Sequence, residues 1–581
     1  MSDIIKILPG DVSNKIAAGE VVQRPSSVLK ELIENSIDAD SSRIQIIIKD
    51  AGKNLIQVID NGKGMSRNDM RLSFIKHATS KINRIEDIFS ISSMGFRGEA
   101  LAAIASVSMV EMESINNNKN GHFIEINGGE VISEKDSNIQ EGTSIKIKNI
   151  FFNVPARRNF LKSDFVELRH ILDVFHRLAI SYPEIEFSFI NNEEEIFYLK
   201  EEPLNKRIIS IFGEKIRQNL IPINESTQIA NISGYVLKPE FSKKSRNNQF
   251  IFVNNRFIKS QFISHSISAS YDGLLKDGYY PGYFLFIEID PTKIDVNVHP
   301  NKTEIKFDDD QNLYSIINSS VKHCLGIYQV SPLLDFDKDP SMEISYDQVK
   351  SQPTIPSIEI NSEFNPFQAF NEDKSDKVTN DFLTTNNKLN LEDENNQALK
   401  IFQILNKFIV STNKSSLIII NQNLAHQRIL YESFLKSIFE NSVNSQKLVF
   451  PIEISLTKKQ VLLYSKINDE FKSIGFDISV KSELMLIESI PFGIEKNNVA
   501  EVIESILNED FNTSNDYSTS DFFAKRLSKV TSIKSGQKLN SEEQEYIVNH
   551  LFSCKEPNLS PDNKQIFITL NKNDIENKFN G

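Results

Sequence analysis

The sequence predicts a multidomain protein of the α/β (α+β) class. The chain is 581 residues long, which at about 100 to 200 residues per domain points to three or four domains. Helical and strand-like periods alternate from the start to about Val330 and resume near Ala398. Between them, residues 331–396 have the composition of a flexible linker. Hydrophobic residues make up 39% and charged residues 25%, the balance of an ordinary globular protein. The opening MSDIIKILPG lacks a basic stretch followed by an apolar one, and no apolar run reaches the roughly 18 residues of a spanning helix. The expectation is a cytoplasmic chain that does not enter a membrane. The two cysteines, Cys324 and Cys554, are too few and too far apart for a disulfide framework or a cysteine-rich zinc site.

A net charge of −13 argues against a nucleic-acid partner only if it is spread evenly. It is not. The stretch 331–396 holds 14 acidic and 5 basic residues, a net of −9 that leaves −4 for the rest. The same stretch contains Pro332, Pro340, Pro353, Pro356 and Pro366 and little apolar periodicity, so it cannot bury enough surface to order itself.

The first informative element is PSSVLKELIENSIDAD. Pro25 and Ser26 supply a helix start, and Leu29, Leu32, Ile33 and Ile37 fall on one face. Glu31, Glu34, Asn35 and Asp38 cluster on the other. Two strand-like runs follow, RIQIIIKD and LIQVID, joined by the turn-like AGKN. The second ends in DNGKGM, where Asp60 closes the strand and Gly62 and Gly64 let the backbone approach a ligand. In SSMGFRGEALAAIASV, Gly95, Arg97 and Gly98 precede an apolar helix, so free N–H groups, a helix dipole and a cation meet as they do where a chain holds phosphate. Gly142 and Thr143 follow in EGTSIKIKN.

Three such motifs in this order resemble the GHKL ATPases, the superfamily of gyrase B, the ninety-kilodalton heat-shock chaperones, histidine kinases and MutL. The wording of KIAAGEVVQRPSSVLKELIENSIDAD, KHATSKI, GFRGEALAAIASV, NVPARRNFLK, FVNNRFI and DVNVHPNKTEIKF is similar to that of the MutL mismatch-repair family. The resemblance implies a GHKL ATPase domain over 1–203 and a second α/β domain like ribosomal protein S5 over 204–330. It further implies the linker at 331–396 and a dimerisation domain at 397–581.

It also implies roles. Glu31 is the general base for water attacking ATP, and Asn35 the Mg²⁺ ligand. Asp60 accepts from the adenine amino group, with Gly62 and Gly64 beside it and Thr143 supporting that end. Thr79, Ser80 and Lys81, with Gly95, Phe96, Arg97 and Gly98, belong to the lid over the triphosphate. Lys302, from the second domain, reaches the γ-phosphate. For non-sequence-specific DNA contact the basic candidates are Arg157, Arg158 and Lys162, then Lys243, Lys244 and Arg246, then Arg256 and Lys259.

The carboxy-terminal part carries three further expectations. LKIFQILNKFIV and SSLIII read as buried strands, and KKQVLLYSKINDEFKSI as one amphipathic helix, of a homodimerising domain. SQKLVFP, with Gln446, Leu448 and Pro451, looks like the peptide by which MutL proteins dock on the sliding clamp. NQNLAHQRILYE stands where nicking relatives carry D-Q-H-A-x-x-E-x-x-x-x-E. Asn421, Asn423 and Gln427 replace two carboxylates and an imidazole there, and neutral amides are poor transition-metal ligands and no base. His426 falls out of the ligand register, and SCKEPNLSP keeps Cys554 without a neighbouring histidine. The function expected is an ATP-switched matchmaker of DNA mismatch repair, linking the mismatch-recognition protein MutS to strand-processing enzymes. The alternatives are a metal-dependent nicking endonuclease gated by the ATPase, and an ATP-driven chaperone.

Overall fold

The computed structural model describes residues 19, 22–81, 94–95, 98–116, 120–276, 278–295, 305–330, 401–413, 416–440, 445–491, 494–508, 519–571, 574 and 576. Phe96, Arg97, Lys302 and the expected linker 331–396 lie outside them. The described residues on either side of 331–400 pack as one compact unit. No described helix is long and apolar enough to cross a membrane.

The chain first forms α1 (Pro25–Asp38), the hairpin β1 (Arg43–Lys49) and β2 (Leu55–Asp60), and two short helices, α2 (Arg67–Leu72) and α3 (Ala100–Ser106). Then come β3 (Met109–Ser114), β4 (Gly121–Asn127), β5 (Glu130–Ser137), β6 (Thr143–Lys148), α4 (Pro155–Asn159), α5 (Asp164–Ser181), β7 (Glu186–Asn191) and β8 (Glu194–Leu199). The eight strands make one sheet in the order β5-β4-β3-β6-β2-β1-β7-β8. Only β1 and β7 run parallel among its neighbours.

Proline at the first position of α1 suits a helix start, because its missing N–H has no intrahelical partner there. The expected apolar face is the buried one: Leu29, Leu32 and Ile33 are at most 1% exposed. They join Ile44, Ile46 and Ile48 of β1, which alternate inward, and Leu168, Ile171 and Phe175 of α5. Each such side chain contributes about 1.5–3 kcal/mol on burial.

A second layer follows from α6 (Leu204–Phe212) through β9 (Leu220–Ser226), β10 (Asn231–Leu237), β11 (Gln249–Val253), β12 (Arg256–Phe257), α7 (Gln261–Ser270) and β13 (Tyr283–Glu288). It closes with the short pair β14 (Ile294–Asp295) and β15 (Lys306–Phe307) and the helix α8 (Asp310–Val330). Its sheet has the order β12-β11-β13-β10-β9, and Ile263, Ile267, Ile317 and Val321 of α7 and α8 fill its core. Arg207 of α6 fastens this layer to the first. Fully buried, it donates to the carbonyls of Ala179, Pro183, Ile185 and Lys200 at 2.6–3.0 Å and pairs with Glu202.

After residue 400, β16 (Ile401–Ile404), β17 (Phe408–Asn413) and β18 (Ser416–Asn421) form a meander leading into α9 (Gln422–Glu440). Next are β19 (Ser445–Ser455), α10 (Lys458–Ser465), α11 (Asn468–Ser473), β20 (Asp477–Lys481) and β21 (Leu484–Pro491). The chain continues with α12 (Val499–Asn508), α13 (Thr519–Thr531), α14 (Ser541–Phe552) and β22 (Phe567–Asn571). Two sheets result, β16-β17-β18-β22 and β19-β21-β20.

Two expectations need correction here. The run KKQVLLYSKINDEFKSI is not one helix but two. α10 stops at Ser465, and Ile467 leaves helical geometry (φ −130, ψ 17) to sink into the core at 0% exposure. LKIFQILNKFIV does not form a wholly buried strand either. It folds back at Leu405 and Asn406, both with positive φ. Phe402 and Ile404 on the edge strand β16 remain 47% and 41% exposed, because among the described residues no layer covers that face.

Candidate functional site

The polar face of α1, the end of β2 and the start of α3 meet around a cavity of about 1310 Å³. Glu31, Asn35 and Asp38 line it from α1, Asp60 and Gly64 from the β2 end, and Thr143 from β6. Thr79, Ser80, Lys81, Gly95 and Gly98 complete one side, and Arg256 and Lys259 of the second layer close another. Residues more than 200 positions apart in sequence therefore share one space.

Glycine is required at two of these positions. Gly64 has φ +63, and a Cβ there would lie 1.8 Å from the Ile115 carbonyl oxygen; Gly98 has φ +61, and its Cβ would lie 2.3 Å from that of Ala78.

Asp60 is 7% exposed. Its carboxylate accepts from Ser36 Oγ at 2.8 Å and from the Gly62 N–H at 2.9 Å. Burial raises its pKa, opposed by these donors and by the Thr143 backbone. Thr143 stands opposite Asp60 in the β2–β6 ladder and shares a 2.8 Å hydrogen bond with Ser114 Oγ. This end of the cavity is a buried acceptor held rigidly by several neighbours, suited to a specific donor on a flat ligand.

At the other end, Lys30 Nζ bridges Glu31 at 3.3 Å and Glu34 at 3.1 Å. Burial works against its charge, yet Glu34 and Glu31 hold its pKa above the ordinary value. Lys81 Nζ donates to Asn35 Oδ1 at 3.1 Å and pairs with Asp38. Asp38 also accepts from the backbone N–H groups of Met94 (3.1 Å) and Gly95 (3.4 Å). Asn35 and Asp38 thus already hold a cation through oxygen atoms alone, the donor set that suits Mg²⁺. That Glu31, Glu34, Asn35 and Asp38 share one face was readable from helical spacing. The pairs that Lys30 and Asp38 make were not, since a charged residue on such a face ordinarily meets solvent.

The basic candidates divide. Arg158, Lys244, Arg246 and Lys259 are exposed. Arg157 is half-buried against Gly19, and Lys162 is half-buried with its carbonyl taken by Lys53. Lys243 and Lys244 form ion pairs with Glu504 (3.6 Å) and Glu501 (2.8 Å) of α12. Arg256 is not on an outer surface. It lines the cavity, and its Nη2 donates to the Met94 carbonyl at 3.4 Å. Lys259 lines the same cavity while remaining exposed.

In the carboxy-terminal part the amides of NQNLAHQRILYE bond within the protein. Asn421 Oδ1 accepts from the Leu424 N–H at the start of α9. Asn423 donates to the Ile533 carbonyl at 2.6 Å, and Gln427 donates to Asn423 at 2.9 Å. His426 accepts from the Ile533 N–H, and burial lowers its pKa. Glu432 is paired with Arg428 and accepts from the Lys555 N–H at 2.9 Å. Burial first, and then Glu432, pushes the Cys554 thiol up to about 11. Among the described residues no three His, Cys, Asp or Glu side chains are grouped to hold a metal.

In SQKLVFP, Gln446 and Pro451 are exposed, but Leu448 is 6% exposed and belongs to the core. The exposed apolar pair is Val449 and Phe450, at 80% and 81%, where the β19–β21 register shifts between Lys447 and Ile452.

The family model of histidine kinase-, DNA gyrase B- and HSP90-like ATPases matches residues 23–155. That of the DNA mismatch repair protein C-terminal domain matches 208–326, and that of the MutL C terminal dimerisation domain matches 401–539. The DNA mismatch repair protein MutL of Christiangramia forsetii is 46% identical over 100% of both chains. That of Flavobacterium johnsoniae is 41% identical, again over 100% of both. Among solved structures, the Aquifex aeolicus MutL ATPase domain complexed with ADP is 25% identical, with a TM-score of 0.36 over 47% of this chain and 94% of that one.

Proposed function

Since the chain belongs to the MutL family of DNA mismatch repair proteins and carries its ATPase domain, we propose that it is an ATP-switched matchmaker that does not itself cut DNA. The observation that carries the reading is the single cavity shared by Glu31, Asn35, Asp60 and Thr143.

In this reading Asp60 accepts from the adenine amino group, and Thr143, Gly62 and Gly64 shape that end; guanine, with a carbonyl at the corresponding position, meets an acceptor and is rejected. Glu31 accepts a proton from the attacking water. Asn35 holds Mg²⁺, which when bound neutralises charge on the phosphate oxygens. Thr79, Ser80, Lys81, Gly95 and Gly98 receive the phosphates, and Phe96, Arg97 and Lys302 remain assigned to the same task. Lys30, by pairing with Glu31, holds that carboxylate in place.

DNA contact falls to Arg158, Lys162, Lys243, Lys244, Arg246 and Lys259, with Arg157 in support and without base readout. Duplex phosphates would replace Glu501 and Glu504 at Lys244 and Lys243. The exposed Phe402, Ile404 and, on β22, Ile568 (47% exposed) support a homodimer through the β16-β17-β18-β22 sheet. Gln446 with Val449, Phe450 and Pro451 is the segment for the sliding clamp, the apolar anchor passing from the buried Leu448 to its two neighbours. MutS remains the proposed upstream partner, in the cytoplasm at the nucleoid.

Against the nuclease alternative stand Asn421, Asn423 and Gln427, which are engaged in structural hydrogen bonds, and Glu432, which is paired with Arg428. Purified protein incubated with supercoiled plasmid, Mn²⁺ and sliding clamp should leave the plasmid intact. Nicking by the parent that is lost in Glu432→Ala would refute the matchmaker-only reading.

A further inference from the structure

We propose that Arg256 is a positioning residue of the ATP site, gripping the Met94–Gly95 segment from the second layer while Asp38 grips it from α1. This rests on the reading of the cavity as the ATP site and adds a residue to it.

The geometry is specific. The two N–H groups of Met94 and Gly95 point to the Asp38 carboxylate at 3.1 and 3.4 Å. The Met94 carbonyl accepts from Arg256 Nη2 at 3.4 Å, and the Met94 side chain is 6% exposed. One short piece of backbone is thereby held on its donor side by the helix that carries Glu31 and Asn35, and on its acceptor side by another sheet. Asp38 holds Lys81 as well, so the same carboxylate orders two groups assigned to the phosphates.

Arg256 is itself firmly placed. It opens β12 directly after Asn254 and Asn255, whose positive φ values of 47 and 63 make the tight turn of the β11–β12 hairpin. The Asn255 carbonyl accepts from Ser181 Oγ at 2.6 Å, at the end of α5. The next residue, Phe257, lies under the Arg177 guanidinium at 4.1 Å. Burial lowers the Arg256 pKa, and Glu34, Asp38 and Tyr182 act against that. The guanidinium is thus a half-buried cation facing the cavity, under the influence of the α1 carboxylates Glu34 and Asp38.

Two consequences follow. Removing the guanidinium leaves the Met94 carbonyl without that donor and Glu34 and Asp38 less compensated, so the Met94–Gly95 segment loses its setting. A shift of the second layer relative to the first would move that segment directly, a mechanical link between the two. Arg256 acts through Asp38 and Met94 rather than on the reacting atoms.

The test uses the full chain with Arg256→Ala, Arg256→Lys and, as a DNA-contact control, Lys244→Ala. ATP turnover with Mg²⁺, adenosine affinity, and affinity of the nucleotide-free protein for duplex DNA are measured, with thermal melting to confirm folding. For Arg256→Ala, kcat/KM for ATP should fall about tenfold or more, with adenosine and DNA affinities unchanged and turnover partly restored by added methylguanidine. Arg256→Lys, which keeps the charge but not the fork, should fall in between. Unchanged ATP kinetics, or a loss of DNA affinity matching that of Lys244→Ala, would overturn the proposal. Absence of ATP hydrolysis by the parent would instead sink the reading on which it rests.

Discussion

Asp60 shows how a single side chain is tuned. Burial favours its neutral form, while Ser36 Oγ, the Gly62 N–H and the Thr143 backbone favour the carboxylate. An adenine amino group adds a donor to an acceptor that is already oriented, so little ordering cost remains. Asp60→Asn keeps the volume and removes the charge. It should weaken ATP binding by about 1.5–3 kcal/mol, the range for a hydrogen bond to a charged group, with the melting temperature little changed. Titration with a fluorescent ATP analogue reads this, and an affinity equal to the parent's would remove Asp60 from the adenine site. Much of this residue-level picture was legible, because D-x-G-x-G after a strand and glutamate with asparagine one helical turn apart are local patterns. That Arg256 lines the cavity was not legible, because a cation beside a strand looks the same whether its sheet faces solvent or a cavity. Leu448 was misplaced for a related reason: alternation fixes that neighbours in a strand face opposite sides, but not which side is covered.

Among the elements, α5 contains a buried group that makes stability depend on pH. His176 is 3% exposed and packs against Phe175, Phe197 and Phe212. Burial first, and then the positive charge of Lys459, pushes its pKa down to about 3. The folded state therefore holds it neutral, whereas the unfolded chain protonates near the ordinary 6.5. Its contribution is fully present above that value and is lost as the pH falls towards 3, at about 1.4 kcal/mol per pH unit. Between pH 6.5 and 4.5 thermal melting of the parent should drop, and His176→Phe should flatten that drop. An unchanged slope in the variant would contradict the assignment. Neighbouring Asp173, paired with Lys459, has its pKa lowered by Lys459, Arg177 and Arg169 against the effect of burial, so its own loss comes at lower pH. Helix α1 and the strands after it were legible from period alone. The break between α10 and α11 was not, because Ile467 keeps the apolar spacing of a helix and leaves it only to fill the core.

At the scale of the molecule, one cavity is the product of two layers: α1, β2, α3 and β6 on one side and the β11–β12 hairpin on the other. The order of motifs along the chain told which pieces share the cavity, since the resemblance carried them together. It did not tell that the hairpin of the second layer closes the cavity, which depends on how Arg207 fastens that layer to carbonyls at and just after the end of α5. The central claim is that Glu31, projecting into this shared cavity, activates water for ATP hydrolysis. Its most direct test is ATP turnover by the full chain with Mg²⁺, parent against Glu31→Ala, with ATP binding measured in parallel. The variant should bind ATP as the parent does and hydrolyse it about a hundredfold or more slowly; hydrolysis by Glu31→Ala at the parent's rate would contradict the assignment of Glu31 as the base.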